Sequence, residues 1–301
     1  LKSALLLDKP GFQHVWIDGL GMDPWGRKMS KSLGNGIDAD SVLECGAGGR
    51  TGSWKVKGPE KTVNLKANKI GSECFRLWKA CEAQVGDDFH INPEEIEQKY
   101  FGVLTKLFNV ARFASQFDVP NDLDSIPEDL NIEDEWILYE FNAVMSEVKS
   151  AWNNLDIYTA TQTLKTFGTG ILPSHYLEMV KSRLYDGDDK AAWTIHRIVR
   201  DFMSAFSPIC PFFTHHISTT IYGTSAVEID EFPDNTLGQH FDQQKSDYLM
   251  SKSNALQAFN GEVWSTKKAN GISLNQPISG IAIPENLADF NNILTAMHSI
   301  E

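Results

Sequence analysis

From residue 92 onward, apolar side chains recur at the three- and four-residue spacing of amphipathic helices. Asn92 can cap the first helix, Pro93 suits its first turn, and two glutamates follow where a helix N-terminus favours negative charge. The same spacing predicts helices over residues 133–155, 159–183, 188–206 and 213–222, with Pro208 and Pro211 ending the helix before them. Helices of this length joined by short turns predict a bundle of four or five.

The chain before residue 92 has a different pattern. Residues 12–18 have the apolar, β-branched and aromatic content of a buried strand, and glycines with Pro24 then predict a loop. Residues 44–71 are rich in glycine and lysine without sustained periodicity, so we expect an irregular insertion there, followed by a helix over residues 74–83. The sequence thus predicts a loop directly after a core strand.

The chain becomes polar beyond Pro233 and then changes pattern again. One long helix is predicted over residues 243–268, a strand over residues 280–284, and a short helix over residues 285–298. We interpret residues 234–301 as a small α/β domain. The predicted fold class is therefore mostly α.

Length and composition favour a globular protein of two or three domains, since 301 residues with 42% hydrophobic side chains can bury a large core. No apolar run approaches the roughly 20 residues that span a bilayer, and the apolar stretch at the start is too short for a signal peptide. Because the first residue is not Met, we expect a fragment. The scattered cysteines, Cys45, Cys74, Cys81 and Cys210, favour reduced thiols in the cytoplasm over a zinc site or a disulfide scaffold.

A net charge of −13 argues against a protein that coats nucleic acid through a globally positive field. One local patch departs from that balance. Against the single acid Glu60, it carries the basic residues Arg50, Lys55, Lys57, Lys61, Lys66 and Lys69. The patch is either a solvated basic loop or a surface that binds a polyanion.

The strongest chemical signal is the segment from Gly26 to Asn35, which reads Gly-Arg-Lys-Met-Ser-Lys-Ser-Leu-Gly-Asn. It places three cations and two hydroxyl groups on a glycine-flanked loop after the predicted strand. Lysine supplies a mobile positive charge, serine a short hydrogen bond, and glycine a close approach of the backbone to an anion. Such a loop suits a polyphosphate whose charge must be stabilised during transfer.

The word Lys28-Met29-Ser30-Lys31-Ser32 resembles the signature loop of class I aminoacyl-tRNA synthetases, and residues 33–35 continue it as that family does. A specified five-residue word arises by chance about once in ten thousand chains of this length. By this resemblance Lys28 and Lys31 would contact the phosphates of ATP, which enters with Mg²⁺, and stabilise the transition state of adenylate formation. Met29, Ser30 and Ser32 would hold the mobile loop in register.

The resemblance covers nearly the whole chain. Residues 70–78 resemble the segment that follows the loop in the family, although Ser72, Glu73 and Cys74 depart from its pattern. Residues 104–113 resemble the helix that opens the anticodon-binding bundle of the valine, isoleucine and leucine enzymes. Residues 174–185 look most like valine enzymes of the archaeal type. An isoleucine enzyme and a tRNA-binding module without catalytic function remain the alternatives.

The resemblance implies four regions. They are a C-terminal remnant of a Rossmann-like nucleotide-binding domain (1–35), a stem-contact region with the basic insertion (36–91), a helical anticodon-binding domain (92–233) and a small C-terminal domain (234–301). tRNA, with a valine acceptor favoured, is the implied partner, and ATP and valine would bind through an N-terminal half. The family's His-Ile-Gly-His element does not occur in the sequence. We therefore expect no adenylate formation by this chain alone.

Two groups of side chains are assigned to packing. His175, His196, His215 and His216 could suggest a metal, but adjacent histidines on a helix point away from each other, so we predict no bound metal. The aromatic residues Trp136, Trp152, Trp193, Phe202 and Phe206 sit at core spacing in the helices and are predicted to pack rather than to stack on bases.

Overall fold

The computed structural model describes residues 6, 12, 14–46, 50–227, 232–233 and 236–301. The chain divides into two units, residues 1–101 and 102–301. Helices dominate both the element list and the length of the described chain, so the predicted mostly-α class is confirmed. Within the described residues, no helix is long and apolar enough to cross a membrane.

The first unit is built on short strands and helices. Strand β1 (Gly21–Met22) pairs in parallel with β4 (Phe89–His90), and β2 (Gly52–Lys57) pairs antiparallel with β3 (Thr62–Ala67). Its helical elements are α1 (Ala39–Glu44), α2 (Gly71–Glu82), α3 (Pro93–Ile96) and a π-helical turn, Glu97–Phe101. The predicted cap of α3 is confirmed, since Glu94 N donates to Asn92 Oδ1 at 3.1 Å.

The strand predicted over residues 12–18 is wrong for the residues that the structure describes. Only Asp18 takes part in a bridge there, an isolated antiparallel one with Val85. Val15 and Ile17 are 72% and 68% exposed, so the apolar side chains that favoured a buried strand lack a covering layer in the described chain. Strand propensity requires such a neighbour before it becomes a strand.

The irregular insertion predicted over residues 44–71 is also wrong, because β2 and β3 form a six-pair hairpin there. Gly52, Trp54 and Val56 are buried on one face, while the side chains between them are exposed on the other. This is the two-residue period of a half-buried strand. The abundance of lysine and glycine concealed it in the sequence.

The second unit contains the predicted helices. The helix predicted over residues 159–183 is instead built of two α-helices with a π-helical segment between them. The elements are α4 (Gly102–Ala114), α5 (Ile132–Asn153), α6 (Ile157–Thr166), the π-helix Phe167–Tyr176, α7 (Leu177–Tyr185), α8 (Asp189–Phe206), α9 (Pro211–Tyr222), α10 (Gln243–Ala269) and α11 (Asn291–His298), with 3₁₀ turns at Thr236–Gln239 and Glu285–Phe290.

Helix α8 lies at the centre of this unit and is buried on almost every side. Its aromatic residues confirm the packing prediction, since Trp193, Phe202 and Phe206 are at most 3% exposed, as is Trp136 on α5. Trp152 is half-buried. A helix that is buried on most of its faces belongs in the middle of a bundle, and the buried Arg197 of α8 is paired with Asp201 at 2.6 Å.

The strand predicted over residues 280–284 is wrong. Only an isolated parallel bridge between Ile278 and Ile300 joins two extended segments of the described chain after residue 236. The apolar residues 281 and 283 have no extended neighbour to pair with, so they follow an irregular path into the 3₁₀ turn. Apart from that bridge, the regular elements in the described part of this region are helices, and residues 270–284 are mostly irregular.

Candidate functional site

The segment from Gly26 to Asn35, here called the lysine loop, follows the carboxyl end of the parallel pair formed by β1 and β4. Strand β1 ends at Met22, and Asp23 follows it directly. In open α/β sheets, ligands bind beyond the carboxyl ends of the parallel strands. Met29 N donates to Gly21 O at 3.1 Å, so the loop folds back along β1 and presents residues 28–32 at that end of the pair.

Asp23 is fully buried and organises the base of the loop. Its Oδ1 accepts from Trp25 N and Arg27 N at 3.0 and 2.9 Å, and its Oδ2 accepts from Arg27 Nε and Asn35 Nδ2 at 2.8 and 2.9 Å. Burial acts to raise the pKa of Asp23, but these hydrogen bonds outweigh it and lower the pKa below its ordinary value of 3.8. The Asp23 carboxylate is therefore held in its ionised form, and both of its oxygens accept hydrogen bonds from the loop.

Asn35 closes the other side of the loop and is also fully buried. Its Nδ2 donates to Lys28 O at 3.1 Å as well as to Asp23, and its Oδ1 accepts from Ser30 N at 2.9 Å. The amide thus connects the start, the middle and the base of the loop. Sequence reasoning did not single out Asp23 or Asn35, because neither contributes a cation or a nucleophile.

The two glycines that flank the loop have left-handed backbone conformations. The φ angles are +77° at Gly26 and +64° at Gly34, a region that residues with a Cβ rarely adopt. Between them, the Ser30 and Ser32 hydroxyl oxygens lie 3.2 Å apart, and Leu33 N donates to Ser30 Oγ at 3.2 Å. The serines therefore brace the turn as well as exposing hydroxyl groups.

Lys28 and Lys31 are both exposed on this loop. Within the described residues, neither ammonium group has a hydrogen-bond or ion-pair partner, whereas the neighbouring Arg27 pairs with Asp23 at 2.7 Å. Two mobile cations on a braced loop leave their charge available to a bound anion. The arrangement suits the binding and charge stabilisation of a polyphosphate.

The hairpin formed by β2 and β3 also contacts the lysine loop. Lys57 N donates to Gly34 O at 3.1 Å, and the Arg27 guanidinium donates to Lys57 O. Gly58 lies beneath the Trp25 ring, where an added Cβ would be 3.3 Å from that ring and 2.7 Å from Lys61 O. The end of β2 therefore contacts both flanks of the lysine loop.

The six basic residues predicted from composition are all exposed. Lys55, Lys57 and Lys66 lie on the hairpin, and Lys61 lies in its turn. The other two have partners inside the chain. Arg50 Nη1 lies 3.2 Å from Glu44 Oε2, and Lys69 Nζ lies 5.0 Å from the centre of the Phe101 ring.

The second unit has a cleft of about 800 Å³ that sequence reasoning did not identify. The exposed Lys106 and Lys181, the half-buried Trp264 and the amide of Asn109 line it, together with Pro173 and neighbours on the π-helix. π-Helical turns occur frequently at functional sites. The cleft combines residues from distant parts of the chain, so the sequence pattern could not predict it. The one local signal was Pro173 inside an otherwise helical pattern.

The histidines considered in the sequence lie in separate surroundings. His196 is buried and donates from Nε2 to Phe117 O at 3.1 Å, and His215 is exposed, with Nδ1 2.8 Å from Ser225 Oγ. His175 accepts from Asn260 Nδ2 at 3.0 Å, and Asn260 Oδ1 accepts from His298 Nε2 at 2.7 Å. Their observed contacts are thus to other groups of the protein.

Two protein-family models match the chain, one within each of the two units. Residues 1–92 match the family model of class I tRNA synthetases (I, L, M and V), and residues 134–282 match the anticodon-binding domain of tRNA ligase. The chain is 30% identical over 99% of its length to a valine–tRNA ligase of Aeropyrum pernix, covering 34% of that protein. It is 27% identical to the valine–tRNA ligase of Nanoarchaeum equitans, matching 100% of the chain and 35% of that protein.

A solved LeuRS from Agrobacterium radiobacter, in a ternary complex with tRNA and LeuAMS, shares the fold with a TM-score of 0.53 and 14% identity. The match covers 73% of this chain and 23% of the LeuRS chain. The chain thus spans about a third of the length of its curated relatives. The two family models together cover most of the chain, so it combines a segment of the class I tRNA synthetases, residues 1–92 with the signature loop, with the anticodon-binding domain of a tRNA ligase, residues 134–282.

Proposed function

We propose that this chain supplies the signature loop and the tRNA-binding unit of a valine–tRNA ligase, which activates valine with ATP and transfers it to tRNA. The observation that carries the proposal is the pair Lys28 and Lys31, exposed and without partners in the described chain, on a loop braced by Asp23 and Asn35. Valine is favoured because the relatives named above are valine–tRNA ligases.

In the proposed reaction the valine carboxylate attacks the α-phosphate of ATP and pyrophosphate leaves. Lys28 and Lys31 stabilise the charge that develops on the phosphates, and Met29, Ser30 and Ser32 keep the loop in register. ATP enters as its Mg²⁺ complex. Both oxygens of the Asp23 carboxylate already accept hydrogen bonds from the loop, so this side chain would not serve as a ligand to that ion.

We assign the cleft of the second unit to the tRNA. Lys106 and Lys181 can pair with phosphates, Trp264 offers an aromatic face, and Asn109 offers hydrogen bonds to a base edge. Base stacking on an aromatic side chain contributes about 1–3 kcal/mol per base. In this assignment the anticodon-binding domain covers residues 92–233, residues 234–301 form a C-terminal domain, and residues 1–35 and 36–91 form the catalytic remnant and stem-contact region.

The buried thiols suit a reducing compartment, and we place the protein in the cytoplasm. Cys74 is an example, since burial raises the pKa of its thiol to about 12 and keeps it protonated and unreactive. All four cysteines are buried thiols.

The test is to incubate the chain with total cellular tRNA, recover the bound RNA and sequence it. We expect enrichment of valine acceptors, and weaker capture by Lys106→Ala than by Lys149→Ala, an exposed lysine outside the cleft. Enrichment of isoleucine acceptors would keep the class and overturn the amino acid. If no tRNA is retained at low salt, the proposed tRNA-binding role is wrong.

A further inference from the structure

The hairpin formed by β2 and β3 has one packed face and one open face. Trp54, Val56 and Leu65 are at most 5% exposed on the packed face. In the antiparallel register Ser53 lies opposite Lys66, Lys55 opposite Asn64, and Lys57 opposite Thr62. These six exposed residues form the open face, which we call the lysine face.

Three of the four exposed lysines of the hairpin and its turn, Lys55, Lys57 and Lys66, lie together because the strand register places them on the same face. Lys55 and Lys57 are two residues apart on one strand, which separates them by about 7 Å. Lys66 is diagonal to Lys55 across the ladder, at a distance of roughly 7–8 Å. Ser53 and Asn64 lie between them and are hydrogen-bonded at 2.8 Å. The face presents cations alternating with neutral hydrogen-bonding groups.

The carboxylates that hydrogen-bond to the backbone of β3 and of the residues after it form no ion pair with these lysines in the described chain. Lys66 N donates to Glu94 Oε1 at 3.0 Å, and Lys69 N donates to Glu97 Oε2 at 3.0 Å, so both acids accept from the backbone along the edge of β3. Among the described residues, no ion pair is formed by the Lys55, Lys57 or Lys66 side chains. Like charges placed side by side on a sheet repel one another unless an anion covers them.

We propose that the lysine face binds the sugar–phosphate backbone of tRNA. A polyanion is the complementary partner for three uncompensated lysines on a chain with a net charge of −13, because the local patch is the exception on an acidic molecule. Lysine and hydroxyl or amide groups are the usual phosphate-contacting side chains, and they position an RNA without reading its sequence. The choice of tRNA over another polyanion rests on the proposed function.

The test compares two double variants that remove the same charge from the same segment. Lys55→Gln/Lys66→Gln changes the lysine face. Arg50→Gln/Lys69→Gln is the matched control, because those side chains already contact Glu44 and Phe101. Lys57 is left unchanged, since its backbone holds the lysine loop. A third variant, Lys55→Arg/Lys66→Arg, restores the charge.

Binding of fluorescent tRNA to the full chain is measured between low and moderate salt. We expect Lys55→Gln/Lys66→Gln to lose about tenfold in affinity at low salt, and the slope of log affinity against log salt to become shallower by about 2. The control and the arginine variant should bind like the unaltered chain.

Each other outcome overturns the inference in a recognisable way. Equal losses in both glutamine variants would show that general charge matters and the lysine face does not. Unchanged binding in the Lys55→Gln/Lys66→Gln variant, with tRNA still bound, would refute the lysine face while keeping the proposed function. If the unaltered chain itself fails to bind tRNA, the proposed function and this inference both fall.

Discussion

At the scale of single residues, the lysine loop divides into side chains that support it and side chains that are left available. Asp23 and Asn35 are fully buried and use their polar atoms on the loop itself. Lys28 and Lys31 are exposed. This division is the expected design of a site in which rigid groups hold mobile charges in place.

Lys31→Ala tests the available group. In an enzyme that joins this segment to the N-terminal part of valine–tRNA ligases, we expect kcat for valine-dependent ATP–pyrophosphate exchange to fall about 10²–10³-fold, the usual effect of losing a charge-stabilising donor. Lys149→Ala, at an exposed position on α5, is the control. A change in KM for ATP with kcat intact would mean that Lys31 contributes to ground-state binding alone.

Asp23→Asn tests the supporting group. At pH 7 we expect the free energy of unfolding to fall by about 1–3 kcal/mol, because buried donors lose a charged acceptor. The folded-state pKa of Asp23 is lowered, so its stabilisation is present above pH 3.8 and is lost as the pH falls through the folded value. The difference between the two proteins should therefore shrink below about pH 4.

Urea titrations followed by tryptophan fluorescence at pH 7 and near pH 3.5 measure that difference. Asp118→Asn, a change at an exposed carboxylate, should stay within about 0.5 kcal/mol at both pH values. An Asp23→Asn protein as stable as the unaltered chain at pH 7 would contradict the role assigned to the buried carboxylate.

At the scale of elements, the hairpin is connected to the loop through its turn. The backbone of Lys57 bonds to Gly34 and Arg27, and Gly58 fits beneath Trp25. A sheet element that contacts both flanks of a loop restricts how far that loop can move. The element that sequence analysis interpreted as an irregular insertion is thus part of the support of the candidate site.

Gly58→Ala probes this contact. A Cβ there would lie 2.7 Å from Lys61 O and 3.3 Å from the Trp25 ring, so the turn or the indole must shift. Overpacking of this kind costs about 1–3 kcal/mol, and we expect a lower melting temperature and a changed Trp25 environment. Gly36→Ala is the matched control, since no atom lies within 4 Å of its added Cβ and its φ is not left-handed. Equal melting temperatures for the two variants would contradict the tight contact.

At the scale of the whole molecule, buried histidines make the fold sensitive to mild acid. Burial lowers the pKa of His298 to about 4, with repulsion by Lys267 and His175 acting in the same direction, and burial also lowers the pKa values of His175 and His196. The Lys267 ammonium is itself buried and donates to Leu274 O, Gln276 O and His298 O at 2.7–2.8 Å. The C-terminal helices are therefore joined through polar groups that must stay in one protonation state.

His298→Gln tests this acid sensitivity. An unfolded histidine with a pKa of 6.5 takes up a proton before the folded one does, so stability falls as the pH drops from about 6.5 towards 4. His298 alone should remove about 2 kcal/mol between pH 7 and pH 5. The variant should lack that part of the decline in denaturant titrations, whereas His216→Gln, at an exposed site, should keep it. Parallel pH profiles for all three proteins would contradict the prediction.

The sequence by itself determined the features that depend on local order. Helical periodicity and capping residues predicted the bundle because a helix is defined by contacts three and four residues apart. The signature loop was identifiable because its cations lie within five consecutive positions. The resemblance to class I synthetases followed from that contiguous word, and a family model of class I tRNA synthetases confirms it over residues 1–92.

Only the tertiary structure decided what depends on residues far apart in the chain. Whether residues 12–18 form a strand depends on a neighbouring layer, and β2 was recognisable only once β3 gave it a partner and a packed face. The same pairing brings Lys66 next to Lys55 and places Lys57 against Gly34. The cleft combines residues from four separate segments. Side-chain type is written in the sequence, but the pairing of distant strands and helices determines which side chains share a surface.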